Sequence, residues 1–339
     1  SDNTQHYRNK AILAVGTHEN KAVSGFYRER SHQIIPVENC LLQDKFSHDA
    51  AAALTAFMNN NSIPAYDEES GKGLLRHIYL RIGERTGEIM LCLVVNGESL
   101  PLSDAFVEGV RENFPAVVGL ILSINKKNTN VVLGDRFITL YGRNYIEDIL
   151  CGLRFRISPD AFYQVNRDGA EMLYGLARER AGLTGKETVA DLYCGAGTIG
   201  LSMAKDAARI VGVEIVDEAV ECARENAKLN GVENAYFFCG DASDTRGLLA
   251  TAKDTLGDFC PDVVIIDPPR KGTTSELVDY LSELGIPKIV YVSCNPETLA
   301  RDARFLVKGG YKAVKAIPVD MFPHTQHVEN VVLLERRED

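Results

Sequence analysis

Cys294 stands in "YVSCNPETLARD", residues 291–302, where an apolar run stops and a helix is expected to start. Asn295 suits the N-cap, Pro296 the first helical position, and Glu297 adds a favourable charge to the first turn. The dipole of such a helix favours the thiolate by roughly 0.3–1 kcal/mol, so Cys294 reads as a nucleophile. The plainer reading is a buried, small apolar residue. Position weighs against that, because "KIVYV" reads as a buried strand and ligands bind beyond the strand ends of open α/β sheets. Glu329, in "HVENVVLLER", reads on the residues alone as a strand-end surface carboxylate. His324, His327 and Glu329 also resemble a ligand cluster, but nothing nearby completes a tetrahedral set and no metal is expected.

A second constellation lies upstream. "DLYCGAGTIGL" places Gly195, Gly197 and Gly200 as GxGxxG between a strand and a helix, with Glu214 ending the next strand where a ribose-binding carboxylate belongs. Alone, that pattern fits a nicotinamide- or flavin-dependent oxidoreductase. Asp191 before the loop, Asp241 in "CGDA" and Asp267 in "DPPR" change the balance. Acidic strand ends suit a cationic nucleoside better than a pyrophosphate. S-adenosylmethionine carries a sulfonium, an amino group and two ribose hydroxyls, and no phosphate.

Methyltransferases that modify exocyclic amines often carry [D/N]PP followed by an aromatic ring. Here Arg270 follows Asp267-Pro268-Pro269, and the aromatic is missing. Carbon methylation fits better. C5 of a neutral pyrimidine is scarcely nucleophilic until a thiolate adds at C6, and its proton must leave before the thiolate can. That reaction requires a nucleophilic Cys, a base and a donor that polarises the ring.

The elements that must position these groups follow from the pattern. From about residue 184, the strands "TVADLYCG", "RIVGVEI", "AYFFCGD", "DVVIIDPP" and "KIVYVSCN" alternate with helices expected at 198–206, 217–230, 275–284 and 296–308; 242–257 is less clear. Such alternation means a parallel sheet covered by helices on both faces. "YKAVKAIPVDMF" and "HVENVVLLER" break it with an antiparallel terminal hairpin, the usual ending of the S-adenosylmethionine-dependent methyltransferase fold. The expected class is therefore α/β, a Rossmann-like class I methyltransferase domain over 156–339. Residues 1–155 read as an α+β domain, with helices near 44–59 and 103–113 and a boundary within 142–160.

Several segments together resemble the RNA uracil-C5 methyltransferase family, whose members make 5-methyluridine in ribosomal or transfer RNA. They are "VSCNPETLARD", "DPPRKG", "AFYQVN", "DLYCGAGTIGL" and "HVENVVLLER", with "YRNKA" and "FYR…HQIIPVENC" extending the likeness to nearly the whole chain. The resemblance implies Cys294 as nucleophile and Glu329 as the base that removes the C5 proton. It implies Gln164, Tyr193, Glu214 and Asp267 around S-adenosylmethionine, with Asp241 and Thr198 as further candidates. Many members open with a small OB-like RNA-binding domain and three cysteines that join a fourth in an iron–sulfur cluster. Cys40 resembles that fourth cysteine and no cysteine precedes it, so a chain lacking its front segments is expected, with no cluster in it.

Composition sets the outer bounds. The eight cysteines are scattered without a CxxC pair, and no apolar run approaches the roughly 20 residues of a membrane span. A reduced, cytoplasmic, monomeric protein is expected. Net charge is −10, which argues against binding of RNA by bulk positive charge, an objection softened by the near balance of 16 Lys+Arg and 18 Asp+Glu in residues 1–155. An RNA partner therefore needs a local basic patch or a basic partner domain. The rival readings are a catalytically idle RNA-binding module of the same fold and a nicotinamide oxidoreductase.

Overall fold

The computed structural model describes residues 3–337, and at 243, 245 and 248–250 the backbone only. Two compact units divide the chain, one of Asp2–Ile149 with Arg156–Ala161, the other of Leu150–Phe155 with Phe162–Asp339.

In the first unit the elements are β1 (Lys10–His18), β2 (Lys21–Tyr27), β3 (Ile34–Pro36), α1 (Phe46–Asn60), β4 (Leu75–Ile82), β5 (Ile89–Val95), α2 (Ser103–Asn113), β6 (Val117–Ile124) and β7 (Arg136–Gly142). The strands form one sheet in the order β3-β2-β1-β4-β5-β6-β7. All neighbours are antiparallel except β5 and β6, which α2 joins as a parallel pair. Every side chain of β4 and β5 is buried, which explains why neither shows the alternation of a half-exposed strand. Leu54 and Met58 of α1 pack with Leu80, Leu91 and Leu93 of these strands into the core.

A short ribbon, β8 (Ile146–Leu150) and β9 (Leu153–Ile157), turns at Cys151 and Gly152, both left-handed at φ 53° and 77°. Two positive-φ residues in a row are the turn that matches strand twist. The boundary expected near 155 falls inside this ribbon.

The second unit continues with α3 (Arg167–Ala181), β10 (Thr188–Leu192), α4 (Thr198–Met203), β11 (Arg209–Glu214), α5 (Asp217–Leu229), β12 (Ala235–Cys239), α6 (Thr245–Leu256), β13 (Val263–Ile266), α7 (Ser275–Leu284), β14 (Lys288–Ser293), α8 (Pro296–Lys308), β15 (Tyr311–Val319) and β16 (Glu329–Arg336). The sheet order is β12-β11-β10-β13-β14-β16-β15. β10 to β14 are parallel, and β16 runs antiparallel between β14 and β15. Helices α7 and α8 occupy the residues expected of them, and their caps show why. Thr274 accepts from the Leu277 N–H at 3.3 Å, and Asn295 from the Glu297 N–H at 3.0 Å. Residues 242–257, unclear from sequence, form a single 3₁₀ turn followed by α6. Helix α3 was not expected. Asn166 caps it, and its apolar face is built of Ala170, Leu173, Tyr174 and Ala177, too many of them small to stand out as a stripe.

Candidate active site

The carboxyl ends of the parallel strands carry the functional groups. Asp191 is in β10, Glu214 ends β11, Asp267 follows β13, and Cys294 follows β14. Glu329 reaches the same rim from the other direction. Ser293 of β14 pairs with Asn330 of β16, and because the two strands are antiparallel, the next residue, Cys294, lies opposite Glu329. The insertion of β16 beside β14 thus joins two residues 35 positions apart.

The cofactor side is a tight turn. Tyr193, Gly195 and Gly197 are all left-handed, at φ 65°, 53° and 78°. For tyrosine this backbone is strained by roughly 1–2 kcal/mol, which marks a turn held by its surroundings. A Cβ on Gly197 would lie 2.9 Å from the Phe237 ring, and one on Gly200 would lie 2.8 Å from Asp191 Oδ2. Each glycine therefore permits a close approach as well as a turn. Glu214 Oε2 accepts from the Gly195 N–H at 3.1 Å and its Oε1 from the Val216 N–H at 2.9 Å. Buried Asn226 donates to the Ala196 carbonyl at 3.2 Å. Thr198 begins α4 and its Oγ1 lies 3.0 Å from the Tyr174 hydroxyl. Tyr193 lies 3.2 Å from Thr273 Oγ1, hydroxyl to hydroxyl. The Asp241 charge acts on that phenol, so Asp241 is also on this rim. Gln164 is half-buried in the segment before α3, two residues ahead of Asn166, which donates to the Met321 carbonyl at 2.8 Å. That bond ties "FYQVN" to the loop leading into Glu329.

These surroundings fit S-adenosylmethionine better than a dinucleotide. Asp191 is 0% exposed, its Oδ2 accepts from the Gly200 N–H, and its Oδ1 is buried with no partner among the described residues. Burial first, and then the Glu214 charge, raise its carboxyl to about 7, against the Gly200 hydrogen bond. With Glu214, Asp241 and Asp267 on the same rim, a pyrophosphate would be repelled, whereas a sulfonium or ammonium would relieve the crowding.

The reacting side is a cluster of acids facing one cation. Glu329 is 4% exposed, and burial raises its carboxyl to about 7 while Arg270 opposes the rise. Asp267 is held well above the usual carboxylate range by burial, then by Glu329 and Asp191. The Cys294 thiol is raised above its ordinary value by burial, then by Glu329 and Asp267, and lowered by Arg270. The sequence predicts a thiol acidified by its helix; the structure corrects that, since burial and two carboxylates outweigh the N-terminus of α8. Arg270, absent from the predicted site, is the cation here, and its Nη2 lies 3.5 Å from His327 Nε2. The basic residue that stands where an aromatic is missing after "DPP" is the signal for it. Among the described residues no group of three His, Cys, Asp or Glu side chains is placed to hold a metal ion.

Comparison with known proteins gives the family. The family described as tRNA (uracil-5-)-methyltransferase matches residues 127–337. An uncharacterized RNA methyltransferase of Caldanaerobacter subterraneus subsp. tengcongensis is 44% identical over 335 residues, 99% of this chain and 73% of that protein. Another from Clostridium acetobutylicum is 44% identical over 330 residues, 97% of this chain and 71% of that protein. Among solved structures, the Pyrococcus abyssi tRNA (uracil-54, C5)-methyltransferase in complex with S-adenosyl-L-homocysteine superposes with a TM-score of 0.80. It is 30% identical, and the match covers 98% of this chain and 76% of that one. The match spans more than half of the chain and the relatives nearly all of it, so this chain belongs to the tRNA (uracil-5-)-methyltransferase family of S-adenosylmethionine-dependent RNA methyltransferases.

Proposed function

We propose that this protein methylates C5 of a uridine in ribosomal or transfer RNA through a covalent adduct on Cys294. The observation that carries the proposal is that Cys294 and Glu329 flank the last β14–β16 pair, Ser293 with Asn330, where the Glu329 charge acts on the thiol and Arg270 is the nearby cation. Gln164, Tyr193, Glu214 and Asp267, with Asp241 and Thr198 beside them, would hold S-adenosylmethionine, which supplies a methyl group on a sulfonium.

The Cys294 proton leaves first, onto a neighbouring carboxylate or water, and the resulting thiolate adds to C6 of the uracil. The C5–C6 double-bond electrons move onto the O4 carbonyl, where an Arg270 guanidinium could stabilise the enolate. The enolate electrons would then form the C5–methyl bond as the methyl–sulfonium bond breaks, its electron pair staying on the departing thioether sulfur, and C5 keeps its original proton. Glu329 removes that proton, the C5–C6 double bond re-forms, and the sulfur of Cys294 leaves as thiolate. A carboxyl poised near 7 suits a base that must accept a proton and return it to water near neutral pH.

Glu329→Gln tests the sequence of steps. Mixed with RNA and methyl-labelled S-adenosylmethionine, the variant should give a slow protein–RNA band on a denaturing gel that carries the label. Cys294→Ala should give neither band nor turnover, and the double variant should behave like Cys294→Ala. Near-normal turnover in Cys294→Ala would remove the covalent step. Normal turnover in Glu329→Gln without adduct would assign the base elsewhere.

A further inference from the structure

One face of α8 is bonded to the loop that carries Arg270. Asn295, Thr298, Arg301 and Asp302 recur at helical spacing, so they share that face. Asn295 Nδ2 and Thr298 Oγ1 both donate to the Arg270 carbonyl, at 3.1 and 3.2 Å. Arg301 Nη2 donates to the carbonyls of Lys271 and Thr273, at 2.9 and 3.2 Å. Asp302, 2% exposed, completes the set. Its Oδ2 accepts from the Thr273 N–H at 2.9 Å and the Tyr291 O–H at 2.7 Å, and its Oδ1 from Arg301 Nε at 2.8 Å. Gly272 fits between them only without a side chain, since a Cβ there would lie 2.5 Å from both Arg301 Nη2 and Asp302 Oδ2.

A buried carboxylate that keeps three partners is costly to desolvate, and it rewards only the geometry that satisfies all three. Here two of those partners fix the loop: the Thr273 backbone directly, and Lys271 and Thr273 through Arg301. Cys294 is the residue before the Asn295 cap, so the thiol and the Arg270 backbone are fastened to one rigid element. Thr273 also meets Tyr193 of the cofactor-side turn, at 3.2 Å.

We propose that Asp302, acting through Arg301 and the 270–273 loop, is a positioning residue that holds the Arg270 guanidinium against the Cys294–Glu329 pair. The proposal rests on Cys294 as the nucleophile, but its test reads the thiol and not turnover. The charged groups that act on Cys294 are Glu329, Asp267 and Arg270, of which only Arg270 favours the thiolate. With residues 271 and 273 let go, the Arg270 carbonyl is still held by Asn295 and Thr298, but the loop that aims its side chain is loosened, the one favourable charge is drawn off the thiol, and the thiol becomes less reactive.

The experiment measures iodoacetamide alkylation of Cys294 between pH 6 and 10, following the peptide that contains it by mass spectrometry, because other cysteines are exposed. Asp302→Asn and Arg301→Gln should each move the profile to higher pH. A rise of roughly half to one pH unit slows alkylation at pH 8 about three- to tenfold. Arg270→Gln should do the same, and Asp302→Asn added to Arg270→Gln should bring no further rise, because the two act through one group. Arg301 is partly exposed, so Arg301→Gln gives the result even where Asp302→Asn fails to fold. A lowered melting temperature with the alkylation profile unmoved would overturn the proposal, as would additive shifts in the double variant. Turnover in Cys294→Ala is a separate measurement, and its persistence would remove the covalent mechanism without touching the alkylation result.

Discussion

Glu329→Gln should make the protein more stable above neutral pH, and the gain should vanish in acid. The carboxyl is 4% exposed and is raised from 4.5 to about 7 in the folded protein. The sign follows from proton binding. Between those two values the folded protein holds a proton that the unfolded chain has lost, so stability falls as pH rises through this window and stays low above it. At 1.36 kcal/mol per tenfold change in proton affinity, the loss reaches about 3 kcal/mol at pH 8. Glutamine has no charge to impose and escapes it. Two effects act on that figure in opposite directions: the Gln amide brings N–H groups that need partners, which lowers the gain, whereas Asp267, which feels the Glu329 charge, ionises more readily once that charge is gone and costs the fold less, which raises it. The assay is denaturant unfolding of the natural and substituted proteins from pH 4.5 to 8.5, compared pair by pair so that titrations common to both cancel. The difference should be small at pH 4.5, grow through pH 6 to 7, and level off. A difference that stays flat with pH, or a variant less stable at pH 8 than at pH 5 relative to the natural protein, would refute the reasoning. On the proposed mechanism, a base that destabilises its own fold reflects the trade between activity and stability.

The same titration should appear in the reaction: in rapid-quench experiments, resolution of the RNA adduct should accelerate as pH rises and level off above about 7, where Glu329 is ionised. A pH-independent rate would exclude Glu329 as the base. Glu214→Ala should weaken S-adenosylmethionine binding by about 1–3 kcal/mol in calorimetry, because it removes a charged acceptor and releases the Gly195 N–H that it holds. Unchanged affinity in a folded variant would take Glu214 out of the site. Gly200→Ala forces a methyl to within 2.8 Å of Asp191 Oδ2 and 2.9 Å of Ile210, and should destabilise by about 1–3 kcal/mol in denaturant unfolding. A neutral substitution there would show that β10 and α4 can move apart.

Local sequence determined a good deal of this protein. Asn295-Pro296 and Thr274 with Gly285 mark the limits of α8 and α7, because caps satisfy orphan backbone groups within a few residues of chain. The glycine turn and the acidic strand ends were legible for the same reason, since a turn needing left-handed backbone and a carboxylate ending an apolar run both show in a short window. Helix α3 was not, because Gly169, Ala170, Ala177 and Ala181 make much of its buried face too small to stand out and its cap is hidden in a motif read for its glutamine. Tertiary structure decided the rest. Nothing near Cys294 in sequence says that β16 will lie between β14 and β15, yet that order alone brings Glu329 opposite the thiol. The helix N-terminus argues for a lowered thiol pKa, whereas burial and the Glu329 and Asp267 charges raise it. Arg270 gains its place from contacts that its carbonyl and that of Lys271 make with residues 25 to 30 positions further along the chain. Hydrogen bonds along a helix or turn are set by neighbours in sequence; desolvation and Coulomb terms depend on everything within several ångströms, and only the folded chain fixes what that is.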